Sequence, residues 1–535
     1  MGALARLAPA LALTSTAVFA YGLSGPDIGW MSDDHEEVFG ASSPVPDWRT
    51  AFQIGGDGHW SPYRLLKYPI QGYLGFWLGP SRTHVLQFMG HLFCVLLFYR
   101  LLKRLGWPTA AALAAGMLFS SFSWFSEAVY WWPGASANWA TVAILLAAHC
   151  FIVWTRSARS RWLLAYTCFT LLSLVTYELW LGGFIFFGGL DWYLRRATPS
   201  PAESADVRRT WFWRYAGIAA PFLIYAALFF IAPSGAADRI GLTVADLPRS
   251  FAVLHVRALE WPLDVQWRWT LLAAEQSFHS TPGALVLAVQ ATVLALLGVL
   301  WVRTARSKAD TRAAMAHLRV PVWASFILGW SVLLGSRVAL LLVGSVSRVD
   351  TRLAYGASIG VAVAGVSLVS GVMQHLGTRA RVLAGLLVLA AVPVLGSAAA
   401  GVGVHYVRTA AAEAETLRTL GNWLASSVHP RGLTIVVVAA RQAVPQGATD
   451  LAYFSELNGF WLDYLVKQRC PECETFVVPM VGCVGTRPTI QVNKERETVR
   501  APVTPDGTVT LGDKTVFFRW TGRELIPEKG ACPAG

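Results

Sequence analysis

The chain has 535 residues, of which 54% are hydrophobic and 14% charged, and a net charge of +12. Soluble domains carry about 25% charged residues, so this composition excludes a single soluble core and equally a disordered polar chain. The charge is unevenly spread. Of 44 basic and 32 acidic residues, 11 of each lie in residues 433–535, so the whole positive excess sits in the apolar part of the chain and need not signal nucleic acid.

A bilayer-spanning helix needs about 20 mostly apolar residues. Eleven stretches read this way: 3–23, 84–102, 108–126, 136–155, 162–178, 179–194, 214–232, 282–302, 320–342, 352–374 and 382–401. They predict a polytopic α-helical membrane protein. The fifth and sixth are divided only by the turn around Glu178, so a re-entrant pair is an alternative there. The first has only Arg6 before its apolar run and is read as an uncleaved span rather than a removed leader.

Lys and Arg collect on the side of a membrane that is not translocated. With the N-terminus in the cytoplasm, alternate connections are all basic: Arg100, Lys103 and Arg104, then Arg156, Arg159 and Arg161, then Arg195, Arg196, Arg208, Arg209 and Arg214. Arg303, Arg306, Lys308, Arg312 and Arg319 follow, and then Arg379 and Arg381. The other side receives loop 24–80, turn 127–135, loop 233–281, turn 343–351 and the whole C-terminal region. A bias toward Ala, Gly, Arg and Trp suggests a bacterial inner membrane, with that side in the periplasm.

The first external loop, 24–80, opens with Asp27 and continues with SDDHEEVF, residues 32–39. Asp33, Asp34, His35, Glu36 and Glu37 could form a carboxylate site at the membrane surface or simply a solvated loop. Carboxylates there could take a proton from a hydroxyl, stabilise positive charge on a sugar ring, or bind a divalent metal, with Asp33 and Asp34 as the candidate ligands. Neighbouring aspartates do not point the same way on a regular element, so one faces the site, and Asp34 is slightly preferred. Later in the loop, GGDGHWSPYRLLKYP brings His59, Tyr63, Arg64 and Lys67 together, either to bind an anion or as a headgroup anchor.

The next external turn, SEAVYWWPGASAN, puts Glu127 at the end of an apolar span, where a carboxylate is costly unless paired or functional. TYELW does the same with Glu178. In the larger loop, His255, Arg257 and Glu260 precede WPLDVQWRW, which reads as an interfacial helix rather than a site. The last short turn carries Arg348, Asp350, Arg352 and Tyr355, and Arg337 lies in the span before it; arginine suits bidentate phosphate contacts. Acids and arginines at one face suggest chemistry on a phosphate-bearing lipid, such as sugar transfer from a polyprenyl-phosphate donor with the lipid phosphate as leaving group. No P-loop, GxGxxG domain or HExxH occurs, and no cofactor is required, although the adjacent acids permit a divalent metal.

Beyond the last span, residues 403–431 read as a linker helix and 432–535 as a small extracytoplasmic α+β domain, with strand-like runs at 432–440, 476–480, 488–492 and 508–520. Cys94, Cys150 and Cys168 fall in spans, while Cys470, Cys473, Cys483 and Cys532 fall in the tail. In an oxidising compartment those four suggest two disulfides with three possible pairings; half of a zinc site at CPEC is the rival reading. A thioredoxin-like role for CPEC is disfavoured for want of a βαβ context.

Four features resemble the GT-C superfamily of integral-membrane glycosyltransferases, which includes protein O-mannosyltransferases and TPR-bearing transmembrane mannosyltransferases. They are Asp33 and Asp34 after the first span, HWSPYRLL, SEAVYWWPGASAN, and SRVDTRLAYGAS. The likeness covers most of residues 1–400 and implies a GT-C-like transmembrane domain over 1–402. It assigns the catalytic base to Asp33 or Asp34 and a lipid-phosphate contact to Arg352. Leu353 and Ala354 depart from the usual pattern and no TPR repeat follows, so the acceptor class does not carry over. A transporter or flippase of lipid-linked sugars, and a ligase or other transferase acting on lipid-linked glycans, are the competing functions.

Overall fold

The computed structural model describes residues 3–22, 25–29, 73–197, 207–231, 252, 322–336, 338, 354–375, 378–426 and 433–439, and beyond these residues 466, 470, 472–478, 482–484, 487–491, 508–511, 514–520 and 525–528. The chain divides into two compact units, Met1–Pro26 with Val38–Gly403, and Asp27–Glu37 with Val404–Gly535.

The first unit is helical: α1 Ala3–Ala17, running into a π-turn Val18–Gly22, α2 Tyr73–Arg104, α3 Thr109–Ser121, α4 Ala135–Ser157, α5 Ser160–Thr176, α6 Gly183–Ala197, α7 Val207–Ile231, α8 Val322–Gly335, α9 Ala354–His375 and the first part of α10 Thr378–Ser426. Each expected span except 282–302, which lies outside the described residues, overlaps one of these helices. Among the described residues, Leu7–Asp27, Leu74–Arg104, Ala135–Ser157 and Ala354–Val372 are long and apolar enough to cross a membrane. Thr109–Ser121, Phe212–Leu228, Val322–Gly335 and Ala390–Val404 are shorter apolar helices.

Local chemistry explains the ends of these helices. Gly79 takes φ +72° ahead of Pro80, so α2 breaks there, before the expected start of the span at residue 84. α3 stops where Phe122 turns extended, and α4 closes on Ala158 at φ 53°. α8 and α9 lie backbone to backbone. A Cβ on Gly329 would sit 2.6 Å from the Ala364 nitrogen, and one on Gly360 would sit 2.5 Å from the Gly329 carbonyl oxygen. Small residues of this kind let membrane helices approach closely, because van der Waals contact replaces the hydrophobic drive that lipid cannot supply.

The described part of this unit holds three carboxylates, Glu127, Glu178 and Asp191. The first two lie in turns that follow α3 and α5. Asp191 lies near the other end of the bundle, on the last turns of α6, where Arg195 and Arg214 pair with it at 2.7 and 3.2 Å. At the same end Arg104 donates to the His149 carbonyl and Arg156 to the Arg104 carbonyl, while Tyr193 donates to the Leu105 carbonyl. Arg104, Arg156, Arg195 and Arg214, from three of the basic connections read in the sequence, thus lie at one end of the bundle.

In the second unit, α10 extends to Ser426, so residues 403–426 of the expected linker helix are helical, as the C-terminal part of α10. The Ala-rich run around residues 398–412 carries Gly401 and Gly403 but no proline, and the helix runs through it. β1 Thr434–Ala439, β2 Glu474–Val478, β6 Thr515–Trp520 and β7 Leu525–Glu528 form a sheet in the order β2-β1-β6-β7; β3 Gly482–Val484, β4 Arg487–Gln491 and β5 Thr508–Thr510 form a second sheet. β1 runs parallel to both β2 and β6, while β6 and β7 are antiparallel. The expected strand 508–520 is therefore two strands in different sheets, parted at Leu511–Lys514. Leu420, Leu433, Ile435, Val437, Val466, Cys473 and Phe518 form the core, with Trp423 set edge-on to Phe518 at 5.4 Å.

Cys470 and Cys473 form a disulfide, three residues apart. The bond between the two sulfurs accords with the disulfide reading of CPEC rather than half of a zinc site. The Cys483 side chain and Cys532 lie outside the described residues. The bridge ends at the entry to β2, on the connection that joins two parallel strands.

Candidate active site

The turn between α3 and α4 begins with a single helical turn, Glu127–Tyr130, followed by extended Trp131 and a short 3-10 turn, Trp132–Gly134. A one-turn helix leaves nearly all its carbonyls without partners inside the helix. Gln87 on α2 supplies one: its side-chain amide donates to the carbonyls of Trp131 at 2.7 Å, Ala128 at 3.0 Å and Glu127 at 3.4 Å. Asn138, in the first turn of α4, in turn donates to the Gln87 carbonyl at 2.9 Å. Gly134 closes the turn. A Cβ there would lie 2.4 Å from the Glu127 carbonyl oxygen, so no larger residue fits without moving Glu127. Glu127 itself is 6% exposed.

Glu178 opens the 3-10 turn Glu178–Trp180 and is 4% exposed. Tyr177 before it is extended, which ends α5 and turns the chain. Trp180 anchors the turn to α4 by donating its indole N–H to Thr141 at 3.1 Å. Its ring also packs on the start of α9, where a Cβ on Gly356 would lie 2.9 Å from it.

Tyr355, in the first turn of α9, is fully buried. Its hydroxyl lies 2.8 Å from His91 Nδ1 and donates to Asn138 Oδ1 at 3.4 Å. Its ring meets Phe125 at 4.9 Å and Phe119 at 5.5 Å, and His91 sits edge-on to Tyr21 at 5.1 Å. Trp124 donates to Ser358 at 2.6 Å, and Tyr130 to the Ala20 carbonyl at 3.1 Å. Tyr21 donates to the Phe122 carbonyl.

These contacts bring three sequence-predicted residues, Glu127, Glu178 and Tyr355, to one end of the bundle, around the first turns of α4. Two of them are buried carboxylates held in turns, and the third is a packed tyrosine whose hydroxyl is engaged within the protein. Asp33, Asp34, Glu36, Glu37, His59, Tyr63, Arg64, Lys67, Arg337, Arg348 and Arg352 lie outside the described residues, and the divalent-metal reading lies there with Asp33 and Asp34.

The residues that build this end and were missed in the sequence are Gln87, His91 and Asn138. A signal was present: His84, Gln87 and His91 recur at helical spacing inside an apolar stretch, and polar groups within a span are expensive.

No protein-family model and no curated protein matches the chain. Among solved structures, the crystal structure of an Archaeoglobus fulgidus oligosaccharyltransferase, tethered through a disulfide bond to an acceptor peptide containing the NVT sequon, matches 88% of this chain and 64% of that one. The identity is 13% and the TM-score 0.34. The chain thus spans just under two thirds of that neighbour, and a likeness so distant carries none of the functional reading below.

Proposed function

We propose that the chain is a membrane glycosyltransferase that moves a sugar from a polyprenyl-phosphate-linked donor to an acceptor at the extracytoplasmic face of a bacterial inner membrane. The N-terminus is then cytoplasmic and the C-terminal unit periplasmic. The observation that carries the reading is the gathering of Glu127 and Glu178, buried in successive turns, beside the start of α9. That helix begins in the segment SRVDTRLAYGAS, which holds Arg348 and Arg352.

In this reading an acceptor hydroxyl attacks the anomeric carbon of the donor sugar. The bond from that carbon to the phosphate oxygen breaks, and the lipid phosphate leaves with the electron pair. Asp34 or Asp33 takes the acceptor proton. Arg352, Arg348 and Arg337 hold the phosphate, for which a guanidinium fork is suited. Glu36, Glu37, Glu127, Glu178, His59, Tyr63, Arg64 and Lys67 bind the sugar and the phosphate end of the donor.

The test is transfer from a radiolabelled polyprenyl-phosphate sugar in proteoliposomes, with Asp33→Asn and Asp34→Asn compared to the parent chain. Loss of transfer in at least one variant, with unchanged size-exclusion behaviour, supports the assignment. Full activity in both overturns it. Counterflow of the labelled lipid without formation of a glycosidic bond would instead favour a flippase.

A further inference from the structure

At the end of the bundle opposite Glu127 and Glu178, the last turn of α6, the first turns of α7 and the start of α8 meet. Asp191 is buried there, and two guanidiniums, Arg195 and Arg214, share its one carboxylate. The trio therefore keeps a net positive charge. Arg214 also donates to the Thr155 carbonyl at 3.1 Å, which fixes its position. Arg196 adds a further cation: its guanidinium carbon lies 5.9 Å over the ring of Trp323, and it meets no carboxylate among the described residues.

The rings around these cations are exposed. Trp323 is 48% exposed and lies 5.2 Å from Trp192, one turn before Arg196 on α6. Arg195 lies over Tyr215 in the same way, at 5.9 Å, and Phe212 and Trp213 are more exposed still. Exposed indoles beneath guanidiniums, at the end of an apolar bundle, match the layering of a lipid headgroup over its glycerol and upper acyl carbons.

We propose that this end of the bundle binds an anionic phospholipid. Arg196 and Arg214 take the headgroup phosphate, and Trp192, Trp323 and Tyr215 lie against the glycerol region. A merely basic rim would spread its attraction evenly over all its cations. A built site concentrates it on Arg196 and Arg214, whose guanidiniums are oriented by Trp323 and by Asp191.

The test is native mass spectrometry of the full chain in detergent, titrated separately with phosphatidylglycerol, phosphatidylcholine and polyprenyl phosphate. Phosphatidylglycerol should be retained in preference to phosphatidylcholine. Arg196→Gln should lower its retention about fivefold, the effect of one arginine beside a phosphate, and Trp323→Ala should lower it as well. Arg159→Gln, an exposed arginine just before α5, should change it less than twofold. The proposal is overturned if the two phospholipids are retained equally, if Arg159→Gln weakens retention as much as Arg196→Gln, or if polyprenyl phosphate is retained in place of phosphatidylglycerol. Arg214→Gln breaks a buried pair; should that variant misfold, Arg196→Gln and Trp323→Ala decide alone.

Discussion

The two ends of the helical bundle treat the same problem, a carboxylate inside an apolar structure, in different ways. At one end Asp191 is met by two arginines, and the pairing is its own explanation. At the other, the turns bearing Glu127 and Glu178 are held by neutral groups: the Gln87 and Asn138 amides, the Trp180 indole and the Thr141 hydroxyl. These groups fix the backbone of each turn. The difference teaches that burial alone does not mark a functional acid. What the neighbours are built to hold in place is the more telling property.

Several substitutions would break or sharpen this contrast. The largest effect is expected from Glu127→Gln, which keeps the shape of the turn but removes the charge: loss of a charged hydrogen bond to the substrate, about 3 kcal/mol, should lower transfer about 100-fold, with the folded fraction unchanged by size-exclusion chromatography. Asp191→Asn is its counterpart, and any loss of activity there should track loss of folded protein. If instead Asp191→Asn lowers activity per folded molecule as much as Glu127→Gln does, the distinction between the ends is lost. Gly134→Ala should approach the first effect, because a displacement of about 1 Å near reacting groups costs about 100-fold. Its Cβ has no room beside the Glu127 carbonyl.

The next effects concern stability. Asp191→Asn should cost about 3 kcal/mol, the low end for breaking a buried pair, because Arg195 and Arg214 are partly in solvent. Thermal inactivation in detergent would show it as a lowered midpoint. Gln87→Leu strips the donor from three carbonyls and should cost about 2 kcal/mol, read by the same assay; a midpoint equal to the parent's would mean that the turn does not depend on Gln87. At the small end, Arg159→Gln should stay within about 0.5 kcal/mol of the parent, as an exposed charge does.

Much of this architecture was open to reading from the residues. Apolar run length marks the helices, because a chain in lipid must satisfy its backbone internally. The basic connections mark one end, and Glu127 and Glu178 mark the other. Asp191 was legible too, since Arg195 follows it by one helical turn. Gln87, His91 and Asn138 were harder. Each reads as a tolerated polar residue until packing shows that all three meet Tyr355 or the turn after α3. The C-terminal sheets were the least legible. Strand propensity finds β1, but parallel pairing with both β2 and β6 depends on long-range crossovers that no local pattern records. The boundary at Leu511–Lys514, where two strands part into different sheets, has a turn-forming Gly-Asp step that the longer apolar pattern hid.

The contact between α8 and α9 bears on motion as well as packing. With Gly329 and Gly360 pressed backbone to backbone, neither helix can slide past the other without steric collision. The two helices are therefore expected to move as one unit. A lipid donor of the kind proposed would then enter through other seams of the bundle.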